Sequence, residues 1–182
     1  MPRPDVVNAL RLIDDFKNRR GRSGWFYSIP RDQVAAGLAV RIKDPSRIDQ
    51  GAANLCGPAA LLFNLAQDRP EMYARFAIDL FENGQARLKN LLISPGADLR
   101  RAVPPSGTID MADWITLASI RDSENWFGFS YCDTDQAASA ITWPNELEKW
   151  FKSIGYTQVV NKASKWFTQN RANAEEASTT VL

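Results

Sequence analysis

The first part of the chain carries apolar residues at the spacing of an amphipathic helix. Between Asp5 and Lys17 they recur every three or four positions, which places them near one face of a predicted helix. Pro4 and Asp5 suit its first turn, because proline lacks the N–H that a first turn leaves unpaired and aspartate offsets the positive helix end. The residues of the apolar face are Val6, Val7, Leu10, Ile13 and Phe16.

Two further helices are predicted before residue 70. A shorter one begins after Ser28-Ile-Pro30 and reaches about Val40. The segment from Cys56 to Gln67 is apolar almost all round, which is typical of a helix that is buried on most sides. These two helices are separated by a loop that Pro45, Ser46 and Asp49 mark.

Pro70 fixes a tight link to a fourth helix, from Glu71 to about Asn83, which Gly84 ends. The short link predicts that this helix forms a hairpin with the buried one. The segment from Gln85 to Ile93 is ambiguous and is interpreted as containing a short strand.

The second half of the chain mixes helices with short strands. Apolar residues at helical spacing predict a helix from Asp110 to Arg121, with Met111, Trp114, Ile115 and Ala118 on one side. Proline at the start and Gly155 at the end predict another from Pro144 to Ile154. The remaining predictions are strands at Trp126 to Tyr131 and Tyr156 to Val160, a helical turn at Ala172 to Ala177, and a strand beginning at Thr179 to Leu182.

These elements give a mostly helical α+β fold with few short strands. No internal repeat or interdomain linker is visible, and 182 residues suffice for one core, so residues 1–182 are predicted to form a single domain. The chain contains no run of 18 apolar residues, and its N-terminus lacks the apolar stretch of a signal peptide. We therefore expect a soluble protein that is cytoplasmic or exported without a cleaved signal peptide, and no membrane partner.

Net charge and residue composition exclude several classes of partner and catalytic site. The net charge is +1, with 22 basic and 21 acidic side chains, so a nucleic-acid partner is not expected. There are two cysteines and no histidine, which excludes HExxH zinc sites, Ser-His-Asp triads and Cys-His dyads completed within this chain. Neither a metal nor another cofactor is expected.

Cys56 is the candidate nucleophile. A cysteine hydrolase uses the thiolate, and the N–H groups at a helix N-terminus favour that form. Cys56 stands at the predicted start of the buried helix, and Gly57 leaves room beside the sulfur. The oxyanion formed by attack on a carbonyl needs donors, and the Cys56 N–H together with the side-chain amide of Gln50, six residues earlier, can supply them.

The spacing of Gln50, Cys56 and Gly57 resembles the nucleophile region of papain-like cysteine peptidases. Cys-Gly-Pro-Ala-Ala-Leu, from Cys56, is closer to the related bacterial C39-like peptidases than to papain itself. The resemblance covers about a dozen residues. It implies a nucleophile at Cys56 and an oxyanion stabiliser at Gln50, in a thiol hydrolase acting on a protein, peptide or amide substrate.

The resemblance also implies a histidine on a later, β-rich half, which we expect to be missing from this chain. We expect that half beyond residue 182, or on a C-terminal partner segment that supplies the histidine. The chain further resembles bacterial proteins of the polymorphic-toxin type in its Cys-Gly-Pro-Ala segment, Asp113-Trp-Ile, and the pattern Pro-x-Glu-Leu-x-Lys-Trp from Pro144. That likeness implies a toxin or effector with an immunity partner.

Other interpretations stay open at this point. The reaction class spans peptidase, glutamine deamidase and peptidoglycan amidase, which share this apparatus. A rival is a non-catalytic protein-interaction module in which Cys56 serves packing, and another is an unrelated helical domain with a chance Gln-Cys spacing. Cys132 has acidic neighbours that disfavour a thiolate and is interpreted as structural. Asp110 and Asp113 are interpreted as capping residues at a helix start.

Overall fold

The computed structural model describes residues 3–19, 24–51, 55–102, 104, 107–123 and 144–160. Within these ranges the chain is mostly helical, with one two-stranded antiparallel sheet. The helices are α1 (Pro4–Asn18), α2 (Arg31–Lys43), α3 (Cys56–Asp68), α4 (Pro70–Asn83), α5 (Ala97–Arg101), α6 (Met111–Asp113), α7 (Ser119–Ser123) and α8 (Pro144–Ser153). A 3-10 turn spans Pro45–Arg47, a π-helical turn spans Trp114–Ala118, and the strands are β1 (Ala86–Leu88) and β2 (Leu91–Ile93).

The first four predicted helices are confirmed, and α2 runs three residues further than expected. Helix α1 packs on α2 and α4, burying its apolar face, and the Phe16 and Phe81 rings meet edge to face with centroids 5.2 Å apart. Arg31 lies over the Phe16 ring at 4.6 Å and pairs with Glu82 at 2.8 Å. The core of the described chain is thus one hydrophobic cluster that joins these helices.

Helices α3 and α4 form the predicted hairpin. Pro70 is the first residue of α4, and Gly84 ends that helix at a positive φ of 70°. A left-handed C-terminal residue is adopted most readily by glycine, since it lacks a Cβ. The ambiguous segment that follows is a hairpin in which Ala86 pairs with Ile93 and Leu88 with Leu91.

The predicted helix from Asp110 to Arg121 is present but interrupted. Its middle is the π-helical turn Trp114–Ala118, where the backbone bonds over five residues instead of four. Trp114 and Ile115 are buried there, as predicted for the core side. The apolar spacing of the sequence did not predict the extra residue in this turn.

Helix α8 is confirmed, with Gly155 at its end, but the predicted strand from Tyr156 to Val160 is wrong. The segment has no strand pairing, and Tyr156 instead packs its ring on Phe151 and beneath the guanidinium of Arg69. Its hydroxyl donates to Asp68 at 2.8 Å, and Arg69 donates to the backbone carbonyl of Ile154 at 2.6 Å. Tyr156, which the sequence analysis assigned to a strand, is therefore held by side-chain packing instead.

Several predictions lie outside the described residues. They concern the strand at Trp126 to Tyr131, the elements after residue 160, and Cys132 with its acidic neighbours. Among the described helices, none combines the length and apolar character that a membrane span requires.

Candidate functional site

Cys56 is the first residue of α3, and it is exposed with a free thiol. The helix begins there because Leu55 stands outside the helical conformation, at φ −118° and ψ 26°, while its carbonyl accepts from the Ala59 N–H at 2.9 Å. No side chain among the described residues caps this first turn. Its leading N–H groups therefore leave positive potential at the end of the helix that carries the thiol.

Gln50 lies beside the start of the same helix. Its side-chain Oε1 accepts a hydrogen bond from the Leu55 N–H at 2.6 Å, and this bond is partly buried. The amide is thereby held one residue before Cys56, although residues 52–54 between them are outside the described ranges. The oxygen is used by the loop, so the Nε2 group is the part of Gln50 that an oxyanion would use.

Gly57 and Pro58 are buried, whereas Cys56 is exposed. The first turn of α3 thus directs its cysteine toward solvent and its next two residues toward the core. Pro58 costs no helical bond at this position, since first-turn N–H groups have no helical partner. The role of Gly57 in leaving room for a substrate stays a prediction.

The loop before Cys56 is tied to a buried ion pair that connects two helices. Arg41 of α2 binds Asp113 of α6 through two parallel bonds, Nε to Oδ1 at 2.9 Å and Nη2 to Oδ2 at 2.6 Å. The same Oδ2 accepts from the Asp49 backbone N–H at 3.0 Å. Asp113 is fully buried and Arg41 is nearly so, which makes this pair the anchor of the loop that carries Gln50.

Burial and ion pairing have opposite effects on the pKa values of Asp113 and Arg41. Burial raises the pKa of Asp113, and the Arg41 hydrogen bonds and charge oppose that rise without cancelling it. Burial lowers the pKa of Arg41, but its bonds to Asp113 and the negative charges of Asp113 and Asp110 together outweigh this, so the pKa of the guanidinium is raised. Tyr73, fully buried nearby, has its pKa raised by burial and then by the charge of Asp113.

A close backbone contact adds a second constraint on the loop. Gly51 has a φ of +59°, and its N–H donates to the Asp49 carboxylate at 2.9 Å. A Cβ at this position would lie 1.8 Å from the backbone oxygen of Thr108. Glycine is therefore required both for the left-handed conformation and for the approach of the two loops.

A cleft of about 790 Å³ opens between these two loops. Its lining includes both members of the buried pair together with the 3-10 turn, but among the described residues that form it there is neither Gln50 nor Cys56. The charged residues of its wall are Arg41, Arg47, Asp49, Asp110 and Asp113. The cleft therefore adjoins the loop before Cys56 at Asp49, and neither candidate site residue lines it.

The remaining acidic candidates have structural roles. Asp110 accepts from the Ala112 N–H at 2.8 Å, which confirms it as a cap of α6. Asp113 was predicted to cap the same helix start, and that prediction is wrong, because its carboxylate faces Arg41. Within the described ranges, no three cysteine or acidic side chains are grouped so that they could hold a metal ion.

The sequence interpretation proposed Cys56 and Gln50 as site residues, assigned Asp113 to a helix cap and did not single out Arg41. One local feature was available: Arg41 follows Val34 and Leu38 at helical spacing, on the face of α2 that is otherwise apolar. A charge on such a face needs a buried partner. The partner, 72 positions away, had no local pattern that distinguished it from the neighbouring cap.

Comparison of the chain with protein-family models, with curated proteins and with solved structures gives no match. The assignment of a function therefore depends on the residues and geometry of the site.

Proposed function

We propose that the chain carries the nucleophile-bearing helical half of a papain-like, cysteine-dependent acyl-transfer hydrolase. The observation that supports this most is the hydrogen bond from the Leu55 N–H to Gln50, which holds a side-chain amide at the head of a helix that begins with an exposed cysteine. A nucleophile at a helix N-terminus beside an amide donor has the two components that acyl transfer needs first.

In the proposed reaction, the Cys56 thiolate attacks the carbonyl carbon of an amide or thioester. The new C–S bond produces a tetrahedral oxyanion, which accepts from the Cys56 N–H and from Nε2 of Gln50. Collapse expels the protonated amine or thiol and leaves an acyl group on sulfur, and water or an amine then releases it. Peptidase, deamidase and amidase reactions all follow this course.

The base is the missing component. A proton must leave the thiol, and another must reach the departing amine, yet the 182 residues contain no histidine. We propose that a β-rich segment outside these residues supplies it. Free imidazole is the functional group of the histidine side chain. It can therefore substitute for the missing histidine in a test on residues 1–182.

Acylation of Cys56 by p-nitrophenyl acetate tests the proposal. We expect imidazole to increase the rate at which Cys56 gains an acetyl group, and to do so at least about tenfold more in the folded chain than in urea. Peptide mapping by mass spectrometry separates Cys56 from Cys132 and from hydrolysis by imidazole alone. Equal acetylation in the folded and denatured chains would show an ordinary thiol and favour the interaction module instead.

A second prediction isolates the oxyanion donor. Gln50→Glu retains a side-chain oxygen for the Leu55 N–H but lacks the amide N–H, so acylation should fall by about 10²–10³. Alkylation of Cys56 by iodoacetamide forms no oxyanion, so it does not need the amide donor. The carboxylate introduced at position 50 changes the amount of Cys56 thiolate, and this affects alkylation and acylation alike. The quantity to compare is therefore the ratio of the acylation rate to the alkylation rate. An unchanged ratio would remove Gln50 from the proposed chemistry while leaving the nucleophile in place.

A further inference from the structure

We propose that Asp113, held by Arg41, is a positioning residue for the Cys56 site. The proposal rests on the function proposed above, and it assigns to a buried ion pair a role beyond the stability of the core. Neither residue touches the cysteine. Both act through the backbone of the loop that precedes it.

The route consists of four hydrogen bonds, two of them between Arg41 and Asp113, and of the peptide link from Asp49 to Gln50. Arg41 fixes the carboxylate of Asp113 in two directions, and Oδ2 of that carboxylate holds the Asp49 N–H at 3.0 Å. The next residue along the chain is Gln50, whose Oε1 holds the Leu55 N–H at 2.6 Å. Leu55 is the residue whose carbonyl begins α3, directly before Cys56.

The pair is suited to this role because it belongs to the rigid part of the fold. Arg41 lies near the end of α2 and Asp113 at the end of α6, and these two helices pack against each other. Bonds to a charged acceptor are shorter and stronger than bonds between neutral groups. A site is most precise when groups already locked by packing orient it.

The anchor also accounts for a carboxylate that lies in the core. An ion pair can often be replaced by apolar side chains without loss of stability, so stability alone does not account for it. The Asp49 N–H lies in a partly buried hydrogen bond, and the second lone pair of Oδ2 supplies its acceptor. The Arg41 guanidinium, in turn, keeps that acceptor charged and in place.

Two double variants separate positioning from stability. Arg41→Met with Asp113→Leu removes the charges and the acceptor together, whereas Arg41→Met with Asp113→Asn is equally neutral but retains a side-chain oxygen for the Asp49 N–H. Glu82→Gln is the remote control, because it breaks an ion pair with Arg19 and Arg31 that has no bond to this loop. Amide hydrogen exchange at Asp49 and Leu55 is measured by NMR, and iodoacetamide alkylation of Cys56 by peptide mapping.

With leucine at position 113, exchange at Asp49 and Leu55 should rise about tenfold or more relative to the rest of the core, and alkylation of folded Cys56 should fall toward its rate in urea. With asparagine, both should return close to the wild-type values, and Glu82→Gln should leave both unchanged. Equal exchange at these two amides in the leucine and asparagine variants would overturn the proposal. So would faster exchange spread evenly over the core, or released Asp49 and Leu55 amides with an unaltered Cys56 rate.

Failure of the proposed function gives a different result. In that case wild-type Cys56 is alkylated no faster folded than in urea, and no variant can lower its rate. The exchange of Asp49 and Leu55 would still differ between the leucine and asparagine variants if Asp113 holds the loop. An identical exchange pattern, by contrast, rejects the positioning role whatever the cysteine does.

Discussion

Replacement of Arg41 by methionine is expected to lower the free energy of unfolding by about 3–5 kcal/mol, because it leaves the buried carboxylate of Asp113 without its counter-charge. Asp113 is 0% exposed, so bulk water solvates its carboxylate poorly and its charge depends on the guanidinium. Burial already raises the pKa of Asp113, and loss of Arg41 should raise it further. Urea denaturation at neutral pH, followed by circular dichroism, measures the loss.

The pH dependence of that loss has a defined sign. A carboxyl group whose pKa is higher in the folded state than in the unfolded state binds more protons when folded, so its ionisation opposes folding as pH rises. The deficit of Arg41→Met relative to wild type should therefore shrink as pH falls through the folded-state pKa of Asp113 toward its unfolded value. A deficit that grew in acid would contradict a buried, uncompensated carboxylate.

A surface variant provides the control. Arg75 pairs with Glu71 one helical turn away at 2.8 Å, and its side chain is 60% exposed. Such pairs contribute about 0.3–0.5 kcal/mol, so Arg75→Met should cost little. If Arg41→Met cost no more than Arg75→Met, the pair with Asp113 would not be the anchor described above.

Helices were predictable from the sequence because their information is local. The apolar spacing in α1, the proline at the start of α4 and the glycine after it each act within one or two turns. The predicted strand at Tyr156 to Val160 is wrong for the opposite reason. A strand forms only where a neighbouring strand is available for pairing, and here Tyr156 packs against Arg69 and Phe151 instead.

The residues of the candidate site also differ in whether local sequence could predict them. Gln50 and Cys56 are six residues apart, and their spacing alone predicted that they meet at a helix start. The Arg41–Asp113 pair joins positions far apart in sequence, so it depends on how α2 and α6 pack. Both Asp110 and Asp113 pair with Arg41, and the packing of α2 on α6 buries only Asp113 fully while Asp110 also caps the helix.

The two constraints on the loop differ in kind. Asp113 holds the Asp49 N–H by charge, whereas Gly51 permits contact with Thr108 by having no side chain. Loss of the hydrogen bond releases the loop without creating a clash, whereas a blocked contact at Gly51 forces the two loops apart. The glycine is therefore the more sensitive position for the geometry before Cys56.

Gly51→Ala is accordingly expected to displace the loop and to destabilise the fold by more than about 2 kcal/mol. The left-handed conformation costs an L-residue about 1–2 kcal/mol, and here a Cβ would also lie 1.8 Å from the backbone oxygen of Thr108. A backbone atom cannot move aside as a flexible side chain can. We expect alkylation of Cys56 to slow toward its rate in urea, together with faster amide exchange at Leu55.

Gly107→Ala separates the clash from the conformational strain. Gly107 has a φ of +72°, close to that of Gly51. In the described part of the chain, the glycine and its two neighbours aside, no atom lies within 4 Å of the position that its Cβ would take. This variant should lose about 1–2 kcal/mol from strain alone and should leave the alkylation rate of Cys56 unchanged. If both alanine variants slowed Cys56 equally, strain in the two loops would be the cause. If neither did, the path of the loop at Gly51 would not set the reactivity of the cysteine.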